Sequence, residues 1–126
     1  MKVSEVFKAL SDESRIRIVN LLQKGELCVC EIETILGLSQ TNASRHLGKL
    51  KSAGIVEMRK EYQWVYYRIC ERFLKDNPSL AQSLFETCKG DEQCASDLQK
   101  LNKYRECGFN CEKIRTDKTD VVKQIK

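Results

Sequence analysis

One histidine stands in the whole chain, and no apolar run approaches the roughly 18–20 residues that cross a bilayer. The first absence argues against a histidine-built metal centre, the second against a membrane protein. Met1-Lys2-Val3-Ser4-Glu5 lacks the apolar core of a signal peptide, so a cytoplasmic chain is expected. No Cys-x-x-Cys pair occurs, and no second histidine or other evident base stands beside a nucleophile. A thiol enzyme or metal carrier is therefore disfavoured, and neither catalysis nor a catalytic cofactor is expected. Internal repeats and low-complexity segments are also missing.

What is present is sulfur and basic charge. The chain has 126 residues, enough for one domain, and seven are cysteine. An odd cysteine count with nothing directing export points to metal or redox chemistry rather than a disulfide framework. Net charge is +4, and it is unevenly placed. Residues 37–70 carry six basic side chains against two acidic ones, whereas the flanking segments are nearly balanced. A local basic excess of this kind is the footprint of a polyanion site.

Hydrophobic spacing predicts a mainly α fold with a β-hairpin. Val3, Val6, Phe7 and Leu10 fall at helical intervals. Ser11-Asp12 supplies a cap for a second helix carrying Ile16, Val19 and Leu22, which Lys24-Gly25 ends. Glu26 to Leu36 reads as a short third helix. Gly37-Leu38-Ser39 is a turn, with Ser39 capping a fourth helix to about Ala53. Two short helices joined by a glycine-containing turn form a helix-turn-helix. Ile55–Arg59 and Trp64–Ile69 are rich in β-formers and are joined by polar Lys60–Gln63, a hairpin in the position of a wing. Asn77-Pro78 reads as cap and first position of a further helix. Lys89-Gly90-Asp91 reads as a stop and restart. Residues 1–105 thus make a winged helix-turn-helix DNA-binding and dimerisation domain, and 106–126 a cysteine-containing tail, polar enough beyond Cys111 to be flexible.

The fourth helix opens with Gln40, Thr41, Asn42, Ser44 and Arg45, while Leu47 and Leu50 face the core. Gln and Asn can pair with adenine and Arg with guanine in the major groove of a double-stranded operator. Lys49, Lys51, Arg59, Lys60 and Tyr62 are placed for phosphate or wing contacts. His46, a lone histidine, is a poor metal ligand and reads as a packing or phosphate-contact residue.

The runs Glu26-Leu27-Cys28-Val29-Cys30-Glu31-Ile32, Ser44-Arg45-His46-Leu47, Ala53-Gly54-Ile55-Val56 and Trp64-Val65-Tyr66-Tyr67-Arg68 resemble the ArsR/SmtB family of metalloregulators over about residues 3–88. The resemblance implies a homodimer held by the first and fifth helices, a palindromic operator, and derepression when an inducer ion binds. The family's wing tip commonly carries glycine near position 62, where this chain has Tyr62.

Cys28 and Cys30 are the expected metal ligands. On a regular helix they would point about 200° apart, so convergence requires the first turn to open. Thiolates select soft ions, and a helix N-terminus is expected to lower the thiol pKa. In the arsenic sensors that the chain resembles, a third cysteine often follows three residues later; here that residue is Glu33. The cadmium and lead branch places cysteines in an N-terminal extension, and no cysteine precedes Cys28. Arsenite or antimonite is therefore the expected inducer, with cadmium or lead the alternative. A zinc site is disfavoured because residues 78–90 hold no histidine. Cys107 and Cys111, four apart and on one helical face, either supply a third ligand or form a thiol pair in a mobile tail. Cys70, Cys88 and Cys94 read as packing residues, with a second site at Cys88 and Cys94 the alternative. A repressor whose thiols oxidise is a rival within the same fold.

Overall fold

The structure, a computed structural model, describes residues 2–126. Helix α1 spans Val3–Ala9 and α2 spans Glu13–Leu22. Asp12 caps α2, its side chain accepting from Arg15 N–H at 3.2 Å. The chain then departs from the expected path. Leu27–Cys28 is a two-residue strand, β1, and α3 begins only at Val29, running to Leu36. Gly37 closes α3 in the left-handed region at φ 70°, which a residue without Cβ adopts freely. Ser39 then caps α4 (Gln40–Ser52), accepting from Asn42 N–H at 3.2 Å. The helix-turn-helix is formed as the sequence indicates.

The wing follows as β2 (Val56–Glu61) and β3 (Trp64–Ile69), antiparallel, with Glu61 opposite Trp64. Only Tyr62 and Gln63 lie between them, a tighter turn than a loop over 60–63. Tyr62 takes φ 56°, and is the one described non-glycine residue in that region. β1 adds a third strand on the far side of β3, pairing Leu27 with Tyr67 and Cys28 with Tyr66.

A short helix α5 (Glu71–Asp76) leads into α6 (Pro78–Lys89), with Pro78 in its first turn. Asn77 does not cap α6; its side-chain amide donates back to Phe73 O instead. Helix α7 spans Glu92–Glu106, and α8 spans Cys111–Ile125 with a break in helical geometry at Asp117. The expected flexible tail is thus an ordered helix. Cys111, Ile114, Val121 and Ile125 are buried, because α8 packs on α3 and α7 and presents these residues to them. Its polar composition belongs to the opposite, solvated face.

The core is built from Ile18, Val19 and Leu21 of α2, Ile32 and Ile35 of α3, Leu47 and Leu50 of α4, and Leu101 and Tyr104 of α7. Each such aliphatic side chain contributes about 1.5–3 kcal/mol on burial. One buried ion pair ties the C-terminal half to the reading half. Arg17 Nε and Nη2 reach Asp97 at 2.8 and 2.9 Å, and Nη2 also donates to Leu36 O at the end of α3. Among the described residues no helix is long and apolar enough to cross a membrane.

Candidate metal centre and nucleic-acid interface

The late start of α3 settles how two cysteines two residues apart can meet. Cys28 is the N-cap residue, with extended backbone at φ −81° and ψ 161°, and Cys30 lies in the first helical turn. The 200° separation of a regular helix therefore does not apply, and the two sulfurs stand 2.8 Å apart without any opening of the helix. Cys28 N–H donates to Glu31 Oε1 at 2.9 Å, the return half of a capping box. Glu31 is in turn held by Tyr104, whose hydroxyl donates to Oε2 at 2.5 Å. The sequence reading missed both residues. The Cys28-x-x-Glu31 spacing was the available signal for Glu31; nothing local signalled Tyr104, 73 residues away.

A third sulfur arrives from α8. Cys28, Cys30 and Cys111 lie with their sulfurs all within 4.8 Å of one another, and Cys28 and Cys111 are joined as a disulfide. Of the pair considered as extra ligands, the fold selects Cys111. Cys107 is exposed beyond the end of α7 and takes no part in the cluster. The expected lowering of the thiol pKa by a helix terminus is outweighed at Cys30, where backbone N–H groups do lower it but less than its surroundings raise it. Burial, followed by the Glu31 and Glu33 carboxylates, pushes it up to about 11.

The remaining cysteines are where packing puts them. Cys88 and Cys94 are buried beside the α6–α7 turn, and burial raises both, Cys94 to about 12. Cys70 is half-buried, its thiol donating to Glu57 Oε2 at 3.5 Å.

The residues expected to read DNA lie together on α4. Gln40, Thr41, Asn42, Ser44 and Arg45 are all exposed in its first turns, and the first turn holds no acidic residue to repel phosphate. Lys49 and Lys51 are exposed further along, Lys60 lies exposed on β2, and Tyr62 is 92% exposed at the wing tip. His46 resolves an open expectation, and Arg59 departs from its own. His46 is buried at 5% exposure and meets Arg15 Nη1 at 3.2 Å, so it packs rather than facing the groove. Burial lowers its pKa, against the pull of Asp12. Arg59 is engaged by Glu26 at 2.6 and 2.8 Å and by Glu61 at 3.2 Å, and lies over the Tyr66 ring at 4.5 Å. Its guanidinium fork is thus occupied by carboxylates.

The two regions share a wall. A groove of about 460 Å³ is lined by Cys28 and Cys30, by Gln40 and Ser44 of α4, and by Trp64 and Val65 of the wing.

Residues 12–58 match the family described as "Bacterial regulatory protein, arsR family". A solved homodimeric winged helix-turn-helix domain from Mycobacterium bovis, described as a possible ArsR-family transcriptional regulator, is 39% identical with a TM-score of 0.59. The match covers 67% of this chain and 78% of that one. The chain belongs to the ArsR family. Within it, the arsenic resistance transcriptional regulator ArsR1 of Pseudomonas putida is 52% identical over 65 residues, 51% of each chain. A cadmium resistance regulatory protein, a CadC homologue of Staphylococcus aureus, is 46% identical over 76 residues, 60% of this chain and 63% of that protein. The chain thus spans about half of the first and under two thirds of the second. The matched segment holds the helix-turn-helix and the Cys28–Cys30 pair, whereas Cys111 lies outside the family match.

Proposed function

We propose that this chain is a homodimeric transcriptional repressor that binds a double-stranded operator through α4 and the wing, and leaves it when trivalent arsenic or antimony is captured by Cys28, Cys30 and Cys111. The observation that carries the reading is the convergence of three sulfurs from β1, α3 and α8 on one point. Two sulfurs each about 2.3 Å from one soft ion stand at most about 4.6 Å apart; the three sulfurs lie within 4.8 Å of one another, and the Cys28–Cys111 bond must be reduced before they can share an ion. Gln40, Thr41, Asn42, Ser44 and Arg45 take the base edges; Lys49, Lys51, Lys60 and Tyr62 take the backbone.

Arsenite suits the site better than cadmium for a reason of proton balance. Trivalent arsenic hydroxide meets three protonated thiols, three As–S bonds form, three As–O bonds break, and three waters leave. No thiolate need exist beforehand. Cadmium requires each thiol to lose its proton first, in a site that already faces the Glu31 and Glu33 carboxylates.

Release follows from position. Cys28 belongs at once to the wing sheet and to the cap of α3, and α3 packs on α4. A ligand that resets Cys28 acts on both halves of the reading surface. By linkage the coupling is reciprocal, so DNA weakens inducer binding by the same factor.

The test is a titration of the reduced protein on a duplex that it has itself selected from a random pool, with arsenite, antimonite, cadmium, lead and zinc. Cys28→Ser and Cys30→Ser should abolish release, Cys111→Ser should weaken it, and Cys107→Ser should behave as the parent. Parent-like release in both Cys28→Ser and Cys30→Ser overturns the assignment.

The Cys28–Cys111 bond favours a second reading, in which oxidation itself is the signal. Peroxide would then release DNA with no metal present, and Cys111→Ser would not respond.

A further inference from the structure

Arg15 of α2 is a buried cation, 9% exposed, and none of its guanidinium hydrogen bonds goes to a carboxylate. Nε donates to Ala9 O at 2.7 Å and Nη2 to Lys8 O at 3.4 Å, both at the end of α1, while Nη1 meets His46 Nδ1 at 3.2 Å. The other ring nitrogen, His46 Nε2, stands 3.5 Å from Arg45 Nη2. A guanidinium therefore faces each nitrogen of the ring. Guanidinium groups only donate, and a neutral imidazole accepts at one nitrogen while the other carries the proton. Burial keeps His46 neutral near pH 7 by lowering its pKa; Asp12 pulls the other way, and Arg45, Arg15 and Lys49 press it further down. One of the two arginines must then face an N–H.

Burial decides which one. The Arg15–His46 contact is buried and the Arg45 side chain is exposed, so Arg45 can turn to solvent and Arg15 cannot. Among the described residues no buried side-chain nitrogen or oxygen lacks a partner. A proton on Nδ1 would orphan Arg15 Nη1, a costly loss for a buried charged donor. Asp12 Oδ1, 3.8 Å from Nδ1, is too far to reward that proton. Nδ1 is therefore bare, and Nε2–H points at Arg45. The remaining side-chain partner of Arg45 among the described residues is Asn42 Oδ1 at 3.4 Å, a long and weak hydrogen bond.

We propose that Arg15 governs base recognition through Arg45: it fixes His46 in the tautomer that offers Arg45 no inward acceptor, and so keeps the Arg45 guanidinium free for the major groove. This rests on the repressor reading above and makes Arg15 and His46 positioning residues for one base contact. A free fork takes guanine O6 and N7 together, whereas a fork drawn back onto the ring has an arm already engaged. Without Arg15 the imidazole proton is free to sit on Nδ1. Nε2 then accepts from Arg45, and the reading side chain is held against the protein.

His46 is the chain's single histidine, so nitrogen-15 spectra of the ring report its tautomer without ambiguity. In the reduced full-length protein at pH 7.5, Nδ1 should be bare and Nε2 protonated. Arg15→Met should exchange the two signals. On a duplex selected from a random pool, Arg45→Ala identifies the base pair that Arg45 reads. The parent should prefer guanine there by about tenfold or more over the other bases. Arg15→Met should cut that preference to about threefold or less. Adding His46→Leu to Arg15→Met removes the inward acceptor and should bring the preference back to within about threefold of the parent. Preference is read as a ratio of affinities for two duplexes, so a uniform loss of affinity cancels.

A bare Nε2 in the parent overturns this inference, and that spectrum needs no variant to fold. A double variant no more selective than Arg15→Met also overturns it, because a merely structural role for Arg15 predicts further damage and not recovery. Arg45→Ala that keeps every base preference overturns it and leaves the repressor reading standing. Failure of the parent to select any duplex sinks both.

Discussion

Cys28 sits directly opposite Tyr66 in the β1–β3 pairing, which makes the first sulfur of the cluster a member of the wing's own sheet. The sequence suggests a sensor buried in the support helix and acting by distorting it. The structure puts the sensor at a junction, where a strand ends and a helix begins. Four expectations follow from this arrangement and its surroundings.

Proton balance distinguishes the inducers. Cys30 is pushed up to about 11, so near neutral pH it is a thiol. Arsenite capture by thiols yields water and no net protons, whereas cadmium expels one proton for each thiol it takes. Calorimetric titration of the reduced protein at pH 7.5 in two buffers of different ionisation heat should give equal arsenite heats and unequal cadmium heats. Buffer-dependent arsenite heats would show that at least one of the three sulfurs is already ionised.

Asp97 is fully buried against Arg17 and Gln93. Asp97→Ala should cost about 3–5 kcal/mol, because it strands the Arg17 charge in the core. Chemical denaturation measures this. Arg17→Met combined with Asp97→Leu should recover much of the loss, since a well-packed apolar pair often replaces a buried ion pair without penalty. A loss under 1 kcal/mol in the single variant would mean that water already reaches the pair.

His46 makes stability fall on mild acidification. Its folded pKa is lowered from 6.5 by burial. The unfolded chain therefore takes up the proton first, so the contribution is complete above pH 6.5 and is lost as the pH drops below that value. Thermal melts between pH 7.5 and 5.5 should show a decline in the parent that is flatter in His46→Gln. Parallel declines would assign the effect elsewhere.

Tyr62 holds φ 56° with its ring 92% exposed. A left-handed conformation costs a residue with a Cβ about 1–2 kcal/mol, so Tyr62→Gly should stabilise the fold by about 1 kcal/mol. Under the DNA-binding proposal it should at the same time weaken operator affinity, since the ring stands at the wing tip. Gains in both stability and affinity would exclude a DNA contact.

Much of this molecule was readable from local pattern. The α3–Gly37–α4 turn, the cap at Ser39, the hairpin and the Cys28–Cys30 pair all declare themselves within a few residues. β1 did not, because two residues carry no period to detect, and its absence from the reading misplaced the start of α3 and the mutual orientation of the two sulfurs. α8 was hidden by composition: Ile114, Val121 and Ile125 share a buried face, but lysines and aspartates between them mask the spacing. The Arg17–Asp97 pair spans 80 residues, and no local feature of either residue announces the other. His46 could be read locally as packing or as phosphate contact, and only the fold, which buries it against Arg15, decides for packing.

Eighty-three positions separate Cys28 from Cys111 along the chain, and that interval contains both α4 and the wing. During synthesis the element that grips DNA is therefore complete well before the last sulfur leaves the ribosome. Under the repressor proposal, a nascent or C-terminally clipped polypeptide would possess the grip but only two thirds of the trigger, so damage confined to the final helix would yield a repressor with a blunted response to inorganic arsenic rather than an inactive one.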